Sequence, residues 1–244
     1  MIKKNMSMCQ AVLEHHQLLP LLPRFNIELG FGERSVEEVC RLNRVNTDFF
    51  LEIANAYLNE DYIPQTDLSL FPVSAVVEYL TCTHTYYIDI ALPGMEQKIH
   101  RLLDGSSLSE KERGLVSDFF NDYKKEFMDH ISREEQRVLP YILELEKQSL
   151  KKEPDREFIS TLQEYTITEY AQEHDRLENS LENLSKLIIK YLPPFEDFDL
   201  CYQVLTDLSD LVRDLIDHAH IEDKVLVPRV AELEQRLIQK LDTE

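Results

Sequence analysis

The 244-residue sequence predicts an all-α protein, an antiparallel four-helix bundle preceded by a small helical N-terminal domain. Three observations predict it. Apolar residues recur at alternating steps of three and four over long stretches, which places them along one helical face. Strand-type alternation is nearly absent, and only 5 glycines interrupt the chain. The breaks between the stretches, Asp104-Gly105-Ser106-Ser107, Lys151-Lys152-Glu153-Pro154 and Pro193-Pro194, are short enough for helices to fold back antiparallel on one another.

The first domain is expected over residues 1–62, where Pro20, Pro23, Gly30 and Gly32 break the chain into short helical pieces. Within it Ser35-Val36-Glu37-Glu38 reads as a capping box, a hydroxyl and a carboxylate satisfying the orphan N–H groups of a helix start. Asp61-Tyr62-Ile63-Pro64-Gln65-Thr66-Asp67 reads as a linker, since proline and short polar residues disfavour a continued helix. The bundle is expected over residues 70–244. Its first stripe is Val73, Val77, Leu80, His84, Ile88, Ala91, Met95, Ile99 and Leu102. The second is Val116, Phe120, Tyr123, Phe127, His130, Glu134, Val138, Tyr141 and Leu145. The third is Tyr170, His174, Leu177, Leu181, Leu184, Ile188 and Tyr191, and the fourth is Val204, Leu208, Leu211, Leu215, His218, Glu222 and Val225.

Composition removes several function classes. The formal charge is −20, from 46 acidic against 26 basic residues, so a phosphate backbone or an anionic membrane surface is repelled while small cations are attracted. Gly30-Phe31-Gly32 lacks the third glycine of a dinucleotide-binding turn. The 4 cysteines are scattered, with no CxxC pair, which excludes a disulfide framework and a sequence-local zinc site. No stretch approaches the roughly 18 apolar residues of a membrane span, and no apolar signal region comes after Lys3-Lys4; a cytoplasmic location is expected.

Each stripe is interrupted by one histidine. A single core histidine is ordinarily a satisfied core residue, but one on each of four helices, at 84, 130, 174 and 218, is a pattern. Their separations of 46, 44 and 44 residues bring them to similar heights in an up-down bundle. Glu134 and Glu222 also fall on stripes, one turn beyond His130 and His218. A buried ionised carboxylate costs several kcal/mol without a partner, so each demands a cation or a raised pKa. Glu178, one turn beyond His174, falls off its stripe and is excluded. A longer repeat supports the pairing: His130 and His218 are each followed by Glu at +4, an acid at +5 and Pro at +10.

His84, His130, Glu134, His174, His218 and Glu222 are therefore the candidate metal ligands. Imidazole with carboxylate suits iron or zinc. If both glutamates bridge, each of two ions receives two histidines and two carboxylate oxygens. An oxo or hydroxo bridge then leaves roughly one of six octahedral positions open. This favours two iron ions, with zinc and manganese as substitutes. His15, His16, His100 and His220 are expected to be surface residues.

On these motifs the antiparallel four-helix bundle resembles a hemerythrin-like HHE cation-binding domain, and the whole chain resembles the repair-of-iron-centres (RIC) family. The resemblance rests on His84 before Leu92-Pro93, His130-x-x-x-Glu134-Glu135-Gln136, Glu173-His174-Asp175, and His218-x-x-x-Glu222 followed by Val225-Leu226 and Pro228-Arg229. It implies repair of iron–sulfur clusters damaged by nitric oxide or oxidants, by donated iron and without a catalytic residue set. The implied partners are damaged iron–sulfur proteins, with room for a homodimer. A rival expectation from another class is a sensor or sequestering module that binds O₂ or NO. NO or O₂ redox turnover is a third. Oxygen carriers of this fold use five histidines, and no fifth stripe histidine occurs here. The family's adjacent cysteine pair is also missing from Phe25–Arg34, and Cys40 alone is expected to be a small buried hydrophobe.

Overall fold

The computed structural model describes residues 1–59, 62, 71–155, 157–158, 166–172 and 177–242. Every regular element among them is helical, and the sole β-type pairing is an isolated bridge between Ser7 and Ser35. No helix among the described residues is long and apolar enough to cross a membrane. Apart from Tyr62, the linker expected at 61–67 lies outside the described residues. Backbone contacts divide the chain into two units, Met1–Tyr86 and Tyr87–Glu244. The division falls inside an unbroken helical run from Val73 to Asp104.

The first unit holds α1 (Met8–Glu14), α2 (Val36–Leu42), α3 (Thr47–Leu58) and α4 (Val73–Tyr86). The capping box forms as the sequence requires: the Ser35 amide donates to Glu38 Oε2 at 2.9 Å and the Glu38 amide donates to Ser35 Oγ at 3.3 Å. Glu38 is held below its ordinary pKa by these hydrogen bonds, its carboxylate serving as their acceptor. Phe25 centres an aromatic core, its ring 5.1 Å from those of Phe50 and Tyr79 and 5.9 Å from that of Phe49. Gly30 (φ 97°) and Gly32 (φ 60°) adopt the left-handed region, which is why glycine occupies both sites in the loop that carries no cysteine pair. Cys40 is buried, and burial pushes its thiol up to about 12, so it is inert packing.

In the second unit the helices are α5 (Leu92–Asp104), α6 (Glu110–Arg133), α7 (Leu139–Ser149), α8 (Ile167–Gln172), α9 (Leu177–Tyr191), α10 (Phe198–Ile221) and α11 (Val227–Asp242). The packing of α5 on α6, α6 on α9, α9 on α10 and α10 on α5 closes a four-helix ring. A second capping box, Ser109 with Glu112, starts α6. Beyond the ring, α11 packs on α7 and α8.

Among the described residues the helical runs are widened at three places by a single π turn: Tyr87–Ala91, Glu134–Val138 and Glu222–Leu226. Each lies immediately before a Leu-Pro or Val-Pro step, Pro93, Pro140 and Pro228 being the second residues of α5, α7 and α11. Proline has no N–H, and its ring clashes with the carbonyl four residues back. Widening the preceding turn relieves that clash without ending the helix. The Leu139 amide accordingly reaches the carbonyl of Glu134, and the Val227 amide that of Glu222, each five residues back.

The extra residue in each π turn rotates the helix beyond it. After His84 the buried positions are Tyr87, Leu92, Met95 and Ile99, whereas Ile88 and Ala91 are only half-buried. Likewise Leu139 and Ile142 are buried in place of Tyr141, and Leu226 in place of Val225. The uninterrupted stripes drawn from sequence assume about 3.6 residues per turn throughout, and the π turns break that assumption. Tyr191, at the end of α9, is exposed.

One buried carboxylate ties the far end together. Glu234 on α11 is 5% exposed, and its Oε1 accepts from the Tyr141 hydroxyl and, at 2.9 Å, from the amide of Ile167, the first residue of α8. Burial and this carboxylate push the Tyr141 hydroxyl well above its ordinary pKa, so it remains a donor. Glu234→Ala removes the acceptor from both groups and should lower unfolding stability by about 2–4 kcal/mol in urea denaturation. A loss under about 0.5 kcal/mol, the range of ordinary surface changes, would contradict this role.

Candidate metal centre

His84, on α4, is followed without a break by the π turn at Tyr87. His130 lies in the last turn of α6 and His218 in that of α10. Glu134 and Glu222 each open a π turn, with the same backbone angles, φ −64° and ψ −54°. The matching extends to side chains: His130 Nε2 is 3.1 Å from Glu134 Oε1, and His218 Nε2 is 3.1 Å from Glu222 Oε1. The sequence repeat is thus a structural repeat, two histidine–carboxylate pairs presented by the same local geometry.

All five residues are buried, from 1% exposed at His84 and Glu134 to 6% at His130. Ligand atoms of Glu134, His218 and Glu222 lie within 4.8 Å of one another. His130 stands beside this group, next to Glu134. His174, the remaining candidate, lies outside the described residues. His16, His100 and His220 are exposed and His15 half-buried, away from the cluster's core stripe.

The imidazoles of His130 and His218 with the carboxylates of Glu134 and Glu222 form a borderline-hard donor set, suited to a first-row divalent cation. The carboxylates, brought this close, repel by roughly 3 kcal/mol at an effective dielectric of about 20, and a cation between them converts that repulsion to attraction. The donor set therefore fits a metal.

Sequence reasoning placed Tyr170 on a core stripe without giving it a role. Its hydroxyl donates a hydrogen bond to Glu134 Oε1. Burial, and then the negative charge of Glu134 and Glu222, push the phenol well above its ordinary pKa, with Arg133 opposing weakly. Its signal was its position four residues before His174, the same spacing that joins the histidines to their glutamates. Tyr87 was missed because it falls between stripe positions. It is fully buried, edge-on to His218 with ring centroids 5.7 Å apart and to Phe127 at 5.5 Å, and its hydroxyl donates to the Asp214 carbonyl at 3.3 Å. The ring fixes the orientation of the His218 imidazole from the side.

Fold and site together define a helical-bundle protein with a buried imidazole–carboxylate cluster that could hold a cation. Residues 94–230 match the family model of the hemerythrin HHE cation binding domain, more than half of the chain, and the protein belongs to that family. The match spans His130, Glu134, His174, His218 and Glu222 and begins after His84. No curated protein matches the chain.

A ligand that binds only the folded state stabilises it by mass action, about 2.7 kcal/mol at roughly 100 times its dissociation constant. Stripping metal with a chelator should accordingly lower the melting temperature, and restoring it should reverse the change. An unaltered melting temperature would count against a buried cation site.

Proposed function

We propose that this protein holds a pair of iron ions and supplies iron for repair of iron–sulfur clusters damaged by nitric oxide or oxidants. The observation that carries the metal part is the convergence of Glu134, His218 and Glu222, with His130 3.1 Å from the Glu134 carboxylate. By the sequence pattern, His84 and His218 would hold one ion and His130 and His174 the other, with Glu134 and Glu222 available to both. Bound iron supplies an exchangeable coordination position and a reversible one-electron couple, optionally with an oxo or hydroxo bridge.

The chain's own contribution is to keep the donors dry and correctly turned. The π turns open at the two carboxylate residues, and α5, α6, α9 and α10 enclose the layer. Support for iron delivery comes from the resemblance to the repair-of-iron-centres family and from the lack of a fifth stripe histidine. A sparser ligand set leaves iron more readily exchanged than in an oxygen carrier. Damaged iron–sulfur proteins are the proposed recipients and the cytoplasm the proposed compartment. No side chain of the site is assigned as a catalytic residue.

The test is recovery of activity by a nitrosylated or oxidised cluster enzyme on incubation with the iron-loaded protein. Recovery beyond that given by an equal concentration of free ferrous iron is the expected result. Recovery equal to free iron, together with reversible O₂ or NO spectra and slow iron release, would replace repair with sensing or sequestration.

A further inference from the structure

The two histidine–carboxylate pairs share their backbone angles and their 3.1 Å spacing, and a tyrosine hydroxyl reaches the first of them. Tyr170 has a single proton to donate, and it goes to Glu134 Oε1, the same oxygen that faces His130 Nε2. Tyr170 is held in place from the other end of its short helix. The α8 amide at Ile167 donates to the buried Glu234, which also takes the Tyr141 hydroxyl, so the segment carrying Tyr170 is tied to both α7 and α11. A hydrogen bond to a carboxylate is roughly twice as strong as a neutral one, and a donor behind a ligating carboxylate fixes which way it points.

We infer that Tyr170 is a positioning residue for the cation centre, its hydroxyl orienting the Glu134 carboxylate. The inference rests on the proposed two-cation centre. Tyr170 does not ligate the metal; it acts through the Glu134 carboxylate. Glu134 is proposed to serve both ions, so removing the hydrogen bond weakens iron binding by the centre. Loss of such an outer partner typically costs about 10- to 100-fold in metal affinity.

The experiment is an anaerobic calorimetric titration of the full chain with ferrous iron, wild type against Tyr170→Phe, with the melting temperature of both metal-free proteins and the visible spectrum after oxidation. The expected result is two binding steps in the wild type, with iron affinity about 10- to 100-fold lower in Tyr170→Phe. The metal-free melting temperatures should agree, and the ferric wild type should lack a tyrosinate-to-iron charge-transfer band. Two steps that the substitution leaves unchanged would overturn the Tyr170 inference alone. A fall in affinity with a lower metal-free melting temperature would make Tyr170 merely structural. A charge-transfer band abolished in Tyr170→Phe would make it a ligand. One ion per wild-type chain would instead overturn the two-cation centre and, with it, this inference.

Discussion

The structure depends on the presence of two carboxylates in a helical core. Glu134 and Glu222 are 1% and 3% exposed, their ligand atoms within 4.8 Å of one another and of the His218 imidazole. Neutral core packing gives no reason for such residues, because removing an ionised carboxylate from water costs several kcal/mol and a like-charged neighbour adds to it. A cation would offset these costs: the repulsion between the carboxylates becomes attraction to it, and each imidazole offers it a lone pair. The net charge of −20 favours the approach of that cation from solution.

The same requirement explains the shape of the helices around the site. Both carboxylates open a π turn, and the turns are set by the prolines six residues further on, Pro140 and Pro228. A standard turn ending at a proline would clash. The widened turn advances the register, so the half of each helix beyond the site buries a different set of residues, Leu139 and Ile142 in one and Leu226 in the other. The placement of the two carboxylates and the packing beyond them are thus fixed by one local feature used twice, with a third π turn before Pro93 in the helix that carries His84.

Much of this was legible in the sequence. The helical period gave the four runs, and the capping box at Ser35 and Glu38 formed atom for atom. His84, His130, Glu134, His218 and Glu222 were singled out because polar residues stood where the period required apolar ones, and the structure buries all five. The parts that escaped have physical causes. The matching prolines at +10 were visible, but their consequence was not, since a register shift arises from a hydrogen bond between residues five apart rather than from any residue's own preference. Tyr170 looked apolar enough to be core, and its hydroxyl gains meaning only when α8 is set against α6. Glu234 escaped because it lies beyond the π turn at Glu222, where the old stripe no longer points inward.

The central claim is that the buried layer exists to hold metal. Native mass spectrometry of the full chain, purified without added metal, tests it most directly. The account predicts a mass excess of about two first-row metal ions per chain, absent when Glu134 and Glu222 are both replaced by alanine. A folded wild type carrying no metal, or metal retained unchanged after both carboxylates are removed, would contradict it.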